Sequence, residues 1–146
     1  LGCPNNRYVN DEAICQSVVA MLQRVGIAAR LDAMPFTRFL ARGNAREFQF
    51  WLLGWTPGNF DITNPARELL GEGSFNWGRL NDEQMNTLAT RIGQTPLGTE
   101  RDGLARQYWA RFREVLPMIP LHQEPQIFGV RETVQDFTLR VNEDLE

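Results

Sequence analysis

The sequence predicts an α/β fold, with residues 1–146 forming one domain around a mixed, mostly parallel sheet flanked by helices. Three patterns predict it: a helical one after Asn10, an alternating strand pattern over 27–34 and a continuous apolar strand pattern over 48–54. A connection this long between the two strands favours a parallel pair with a right-handed crossover. At 146 residues the chain is long enough for one domain with its own core.

The first helix is predicted to begin after Asn10, which can act as its N-cap, and to end at Gly26. Asp11 and Glu12 fall in its first turn, where the helix dipole favours acidic side chains. Its apolar residues recur at helical spacing and predict one buried stripe, made of Ile14, Val18, Met21, Leu22 and Val25. Apolar and polar residues then alternate over 27–34, which predicts a half-buried strand.

A short helix is predicted from Phe36 to near Gly43, and the apolar run over 48–54 is predicted to be a buried strand. Asn64 followed by Pro65 is typical of a helix start, and that helix is expected to stop by Gly71.

Two further helices are predicted in the second half of the chain. The first opens at Asn81 and ends before Gly93, and its shared apolar face consists of Met85, Leu88, Ala89 and Ile92. The second opens at a sequence resembling a capping box, 99–102, and its apolar face consists of Leu104, Tyr108, Phe112 and Val115. The tail over 118–141 is predicted to form two or three short strands.

Composition excludes several classes of function. The net charge is −3 and no run of basic residues occurs, so a nucleic-acid partner is not expected. No apolar stretch approaches the roughly 20 residues that cross a bilayer, so this segment is not expected to insert into a membrane. All fifteen basic residues are Arg, which removes lysine chemistry. The one histidine, His122, lies among apolar residues and is interpreted as a strand histidine with a structural hydrogen bond.

No catalytic apparatus is predicted. Carboxylates stand at helix starts, where solvation explains them, and neither a Ser nor a Cys is placed beside a His as a nucleophile and base would be. The chain is therefore expected not to be an enzyme, and no cofactor or metal is expected. Cys3 and Cys15 lack a metal-ligand spacing. They are free thiols if the protein is cytosolic, and a disulfide between them is plausible if it is extracytoplasmic.

The candidate ligand site is the loop that follows the apolar strand. In open α/β sheets, ligands bind beyond the carboxyl ends of the strands. This loop carries aromatic, small and polar residues that suit holding a small molecule: Trp55, Thr56, Pro57, Gly58, Asn59 and Asp61. Trp55 is either a wall for the ligand or packing over the sheet end, and Asp61 either pairs with a ligand cation or caps the turn through Thr63 and Asn64.

Asn76 and Trp77, in a second glycine-rich loop, are weaker candidates. They either project into the same crevice or form a turn that shields the domain from solvent.

Several segments resemble the solute-binding proteins of peptide-type ABC importers, the extracytoplasmic oligopeptide- and dipeptide-binding family. The most specific is CPNNRYVNDEAIC over 3–15. The others follow in order along the chain: Val25-Gly-Ile27, Leu53-Gly-Trp55, Phe75-Asn76 and Ile119-Pro-Leu121-His122. The resemblance covers nearly the whole chain and only the carboxyl-terminal lobe of such a protein, which implies that the chain is a fragment of a larger two-lobed binding protein.

The resemblance implies a periplasmic-binding-protein-like lobe. In that family two lobes close around the ligand and the closed form docks on a membrane permease. It implies a periplasmic or other extracytoplasmic location, or a lipid anchor on a preceding segment. Peptide is the leading ligand, with oligosaccharides, opines and other small solutes left open.

One position departs from the family pattern. Peptide binders commonly carry an Asp three residues beyond the Trp, where it anchors the peptide amino group. Gly58 occupies that position here, and the first acid, Asp61, comes six residues after Trp55. The resemblance therefore implies either that Asp61 takes over the anchoring or that the ligand has no ammonium group to anchor.

Two other functions remain as alternatives. One is an α/β enzyme fragment that uses Asp61 as a base, which requires an acid or a His within hydrogen-bond reach of it. The other is a signalling or chaperone-like module that reuses the lobe for protein contact, which a large exposed apolar patch away from the sheet end favours.

Overall fold

The structure is a computed structural model that describes residues 1–58, 61–125 and 127–135. Within these ranges it contains two short parallel strands and five helices, so the predicted α/β class is confirmed. The strands are β1 (Gly2–Pro4) and β2 (Asp32–Met34). The helices are α1 (Asp11–Arg24), α2 (Phe36–Asn44), α3 (Thr63–Glu68), α4 (Glu83–Gln94) and α5 (Thr99–Val115).

The sheet is built around β1. Gly2 pairs with Asp32 and Pro4 with Met34 in parallel register. On the other side of β1, Gly2 forms an isolated parallel bridge with Trp51, where the Gly2 amide donates to the Phe50 carbonyl at 2.8 Å. The three segments therefore run in the same direction, with β1 between the two segments that were predicted from their patterns.

Both predicted strands are shorter than expected. Of residues 27–34 only Asp32–Met34 are in a strand, and Ile27 is 53% exposed. Of residues 48–54 only Trp51 forms a bridge, and Phe50 is 40% exposed. The prediction that residues 48–54 form a continuous buried strand is therefore wrong. The reason is geometric: a strand extends only as far as its partner supplies backbone groups, and β1 is three residues long.

The first helix is attached by its amino-terminal end. A disulfide joins Cys3 of β1 to Cys15 of α1, and both residues are buried. Asn10 lies at the N-cap position, with φ 57° and no side-chain cap, so the predicted capping by its side chain is wrong. The Asp11 carboxylate instead accepts the backbone N–H groups of Arg7 and Tyr8, which precede the helix, and of Glu12 within it.

The predicted buried stripe of α1 is also wrong within the described residues. Met21 is 48% exposed and Val25 is 72% exposed, while the buried side chains of α1 are Asp11 and Cys15. Periodicity correctly predicts an amphipathic helix. It does not say which neighbour covers the apolar side, and in the described part of the chain α1 packs mainly against β1 through the disulfide end.

The carboxyl-terminal helices form the larger core. α4 packs against α3 and α5, and every residue of the predicted α4 face is buried: Met85, Leu88, Ala89 and Ile92. Leu104, Tyr108 and Phe112 of α5 are buried in the same cluster, which confirms that face as well. The predicted helix starts are corrected: α4 begins at Glu83 behind the capping side chain of Asp82 rather than at Asn81, and α5 follows Gly98 without the side-chain cap that a capping box would supply.

A second cluster is aromatic and connects α2 to the sheet. Phe39 is fully buried, stacks on Phe48 with ring centroids 5.2 Å apart and meets the ring of Trp77 at 5.5 Å. Trp77 lies directly over Gly43 of α2, where a Cβ would collide with the indole ring. The cluster also includes Met34, the last residue of β2, and Trp51 at the bridge to β1, so it contacts both segments that pair with β1.

The tail carries no strand in residues 118–125 and 127–135, so the prediction of short strands is wrong there. Residue 126 and residues 136–141 of that prediction lie outside the described residues. His122 is exposed in a segment without regular secondary structure and is not a strand histidine. Among the helices that the structure describes, none has the length and hydropathy required to cross a membrane.

Candidate functional site

Two loops meet at the carboxyl ends of the parallel segments. Residues 5–10 follow β1, and residues 52–58 follow the bridge at Trp51. The Tyr8 hydroxyl donates a hydrogen bond to the Gly54 carbonyl at 3.2 Å. A Cβ on Gly54 would stand 2.7 Å from Cε1 of Tyr8, so the approach requires glycine. The loop that carries Trp55 therefore lies at the edge where open α/β sheets bind ligands.

The loop after β1 is held from several sides. The Asp11 carboxylate is 4% exposed as a residue and accepts the Arg7 and Tyr8 amides at 3.0 and 3.1 Å. Asn6 accepts the Phe36 amide at 2.8 Å, which ties the loop to the start of α2. These bonds present Tyr8 to the Trp55 loop in a defined orientation.

Arg7 is exposed and lies over two aromatic rings. Its guanidinium carbon is 5.4 Å from the ring centroid of Tyr8 and 5.5 Å from that of Phe36, within cation–π range. The rings of Tyr8 and Phe36 meet edge to face at 6.3 Å. This arrangement places an arginine and two rings next to the Trp55 loop.

Trp55 is half-buried and is held by two contacts. Its indole Nε1–H donates to Oδ1 of Asn64 at 2.8 Å, and its ring meets the edge of Phe75 at a centroid distance of 5.0 Å. These contacts bear out the packing alternative, and a role of Trp55 as a wall for a ligand stays a prediction.

The turn after Trp55 is largely exposed to solvent. Thr56 and Gly58 are exposed and Pro57 is half-buried. A Cβ on Gly58 would meet no described atom within 4 Å. Asn59 lies outside the described residues. Residues 55–58 therefore present an indole, a hydroxyl and backbone groups, and no charged side chain.

Asp61 is engaged with its own protein. Its Oδ1 accepts the Thr63 amide at 2.9 Å and the Thr63 hydroxyl at 2.6 Å. Arg101 Nη2 donates to both carboxylate oxygens, at 2.9 and 2.8 Å. The Thr63 hydroxyl and the Arg101 guanidinium lower the pKa of Asp61, although partial burial opposes them. Of the two alternatives for Asp61, the turn cap is observed: its side chain accepts from Thr63, whereas the Asn64 amide donates to the Asp61 backbone carbonyl at 3.2 Å. Helix α3 starts at Thr63 rather than after Asn64.

The contacts of Asp61 also argue against the alternative that it acts as a catalytic base. A general base works best when its pKa lies near the working pH. The hydroxyl and the arginine around Asp61 move its pKa away from neutrality, so this carboxylate is a poor proton acceptor. The geometry favours a structural role for Asp61.

Asn76 and Trp77 both make hydrogen bonds within the protein. Asn76 donates to the carbonyls of Gly71 and Leu80 at 2.7 and 2.9 Å and accepts the Leu80 amide at 2.9 Å, which closes its own loop. Trp77 is 5% exposed and donates from Nε1 to Asn44 at 3.1 Å. Phe75 joins Trp77 to Trp55, so the two candidate loops touch through an aromatic contact.

Sequence reasoning missed several residues that build this site: Tyr8, Asn64 and Arg101. Tyr8 and Arg101 act through contacts 46 and 40 positions away in the chain, which local patterns do not reveal. A separate groove of about 520 Å³ runs along α1 between Ile14, Val18, Met21 and Leu121, and none of its lining residues belongs to the Trp55 loop.

The chain is similar to two curated proteins of Pseudomonas aeruginosa. It is 30% identical over 135 residues to di/tripeptide-binding protein 4 and 23% identical over 133 residues to di/tripeptide-binding protein 3. Each match covers 89% of this chain and 25% of the relative, so the chain spans about a quarter of the length of the curated relatives it matches. No protein-family model matches the chain, and no solved structure matches it significantly. The similarity supports a distant relationship to peptide-binding proteins, whose names describe binding and not catalysis.

Proposed function

We propose that this chain is part of a solute-binding protein of an ABC importer and forms one wall of a cleft that captures peptides or similar small solutes. In this proposal it is the carboxyl-terminal lobe of a two-lobed protein, and the loaded protein delivers its solute to a membrane permease. The lobe binds without catalysis.

One observation carries the proposal: Tyr8 holds the Trp55 loop at the carboxyl edge of the parallel segments through the Gly54 carbonyl. At that edge the half-buried indole of Trp55 and the groups of Thr56, Pro57 and Gly58 form the wall. Asn59, which lies outside the described residues, is included in the proposal for its place in the sequence alone. Such a wall, apolar with a few placed polar groups, is typical of small-molecule sites. The names of the two relatives, which describe di- and tripeptide binding, support peptides as the solute class.

In this proposal the other candidate residues, Asp61, Asn76 and Trp77, hold the wall in position. Asp61 anchors the far end of the Trp55 loop, and Asn76 and Trp77 support Phe75, on which Trp55 rests. An extracytoplasmic location is supported by the Cys3–Cys15 disulfide, because disulfides persist in oxidising compartments and are rare in the cytosol.

Isothermal titration tests the proposal on the protein expressed from its whole reading frame. The probes are Ala-Ala, Ala-Ala-Ala and a maltooligosaccharide. We expect a peptide to bind to the wild type. Trp55→Ala should lower the affinity for that peptide about tenfold or more, because buried aromatic residues dominate binding energies. Trp109→Ala is the matched control, since Trp109 is 47% exposed and contacts rings of its own helix.

Two results would contradict the proposal. If neither peptide binds, peptide capture is wrong, and binding of the sugar alone would change the solute class. If a peptide binds and Trp55→Ala has the same affinity as Trp109→Ala, the assignment of the wall is wrong.

A further inference from the structure

The Asp61–Arg101 pair joins the far end of the Trp55 loop to the helical core. Asp61 follows this loop and Arg101 lies in the first turn of α5. The two side chains are 21% and 15% exposed, so the pair is largely shielded from water. Arg101 also donates from Nε to the Ile92 carbonyl in α4 at 3.0 Å. The guanidinium is thus held by α4 and α5 together and offers Asp61 a rigid partner.

The pair reaches Trp55 through α3. The Asp61 carboxylate accepts both the amide and the hydroxyl of Thr63, the first residue of α3. The next residue, Asn64, accepts the indole N–H of Trp55 at 2.8 Å. A displacement of Asp61 therefore moves the start of α3 and, with it, the acceptor that orients Trp55.

The pair also removes a negative charge from the site. A carboxylate that accepts an arginine and a hydroxyl has little capacity left for a ligand ammonium. Two other acids lie next to these loops. Asp11 is buried and accepts backbone amides of Arg7, Tyr8 and Glu12. Glu124 is exposed and accepts the Val9 amide of the loop after β1 at 2.9 Å. Residues 55–58 contribute no acid of their own.

From these contacts we infer that Arg101 is a positioning residue that orients Trp55 through Asp61 and keeps the Asp61 carboxylate from pairing with a solute ammonium. The inference rests on the proposed function for its ligand. It assigns a substrate preference to the Trp55 side of the site: residues 55–58 accept a solute through an aromatic face and neutral polar groups, and Asp61 does not discriminate a free amino terminus from a blocked one.

The test compares variants of the whole protein. Arg101→Gln releases Asp61, and Arg101→Lys keeps the positive charge. Arg111→Gln is the matched control, because Arg111 also lies in α5 and pairs with a helix-capping aspartate, Asp82, at 2.7 Å. The double variant Arg101→Gln with Asp61→Asn removes the released carboxylate.

The first measurement needs no ligand. In an NMR spectrum of ¹⁵N-labelled indoles, we expect Arg101→Gln to shift the Trp55 resonance and Arg111→Gln to leave it in place, with Arg101→Lys closer to the wild type. Equal spectra for Arg101→Gln and Arg111→Gln would overturn the positioning role, whether or not any peptide binds.

The second measurement is the affinity ratio of Ala-Ala to N-acetyl-Ala-Ala. We expect Arg101→Gln to shift this ratio about fivefold towards the free peptide, as a newly exposed carboxylate gains an ion pair of ordinary strength. The double variant should return to the wild-type ratio. If the ratio is unchanged in Arg101→Gln, or the shift persists without the Asp61 carboxylate, the charge-masking role is wrong. If the wild type binds neither compound, peptide capture is wrong and the indole spectra alone decide the role of Arg101.

Discussion

The Tyr8 hydroxyl donates to the Gly54 carbonyl at 3.2 Å and joins two loops that are 46 residues apart in the sequence. One loop is anchored by the buried Asp11 and the disulfide of β1, and the other carries Trp55. Each loop follows a different parallel segment, so the candidate site is formed by two loops at the same edge of the sheet.

The two tyrosines of the chain give a direct test of this contact. Tyr8→Phe should lower the free energy of unfolding by about 1 kcal/mol, the usual net contribution of one hydrogen bond. Tyr108→Phe should not lower it, because the buried Tyr108 hydroxyl has no hydrogen-bond partner in the described part of the chain, and burial raises its pKa to about 12. Urea unfolding of both variants measures the difference. Equal losses would contradict the assignment of the Tyr8 contact.

Two helix glycines should respond oppositely to alanine. Gly43→Ala places a methyl group against the Trp77 ring and should cost about 1–3 kcal/mol of stability, as overpacking does. Gly103→Ala in α5 should stabilise by about 0.5–1 kcal/mol, because the nearest atom, in the Arg106 side chain, is 3.9 Å away. Thermal unfolding of the pair measures both signs. A neutral Gly43→Ala would show that Trp77 does not pack on α2.

The disulfide should contribute measurably to stability. Replacing Cys3 and Cys15 together by alanine should lower the unfolding free energy by about 2–3 kcal/mol, since the bond closes a short loop in the unfolded chain. A reductant should destabilise the wild type by a similar amount and leave the double variant unchanged. Equal sensitivity of both proteins to the reductant would contradict this expectation.

The free energy of unfolding should decrease at acidic pH because two aspartates have lowered pKa values in the folded protein. Arg111 and the Met85 amide lower the pKa of Asp82, and Thr63 and Arg101 lower that of Asp61. Below the ordinary value of 3.8 the unfolded chain takes up protons that the folded carboxylates resist. The stabilisation is therefore present above about pH 4 and is lost as the pH falls through the lowered values. Urea unfolding at a series of pH values from neutral to acidic measures this effect. The free energy of unfolding should decrease less with falling pH in Asp61→Asn than in the wild type.

Local sequence patterns were sufficient to predict the α/β class, the helices and the buried faces of α4 and α5. These faces recur at helical spacing, as with Met85 and Leu88, and such local periodicity depends on nearby residues only. The sequence also placed Trp55 on the loop that follows an apolar segment, and it left open whether Asp61 caps a turn or meets a ligand.

The strand pairing and the long-range contacts of the site could not be predicted from local patterns. A strand of three residues has no readable periodicity, so β1 and its central place in the sheet were not predicted, and its shortness in turn limits β2 and the bridge at Trp51. The partner of Asp61 is Arg101, 40 residues away, and no pattern within a helix or loop indicates such a pair. The physical reason is common to all these cases: local patterns report which side of an element is apolar, whereas long-range packing decides which neighbour covers it and which charges meet.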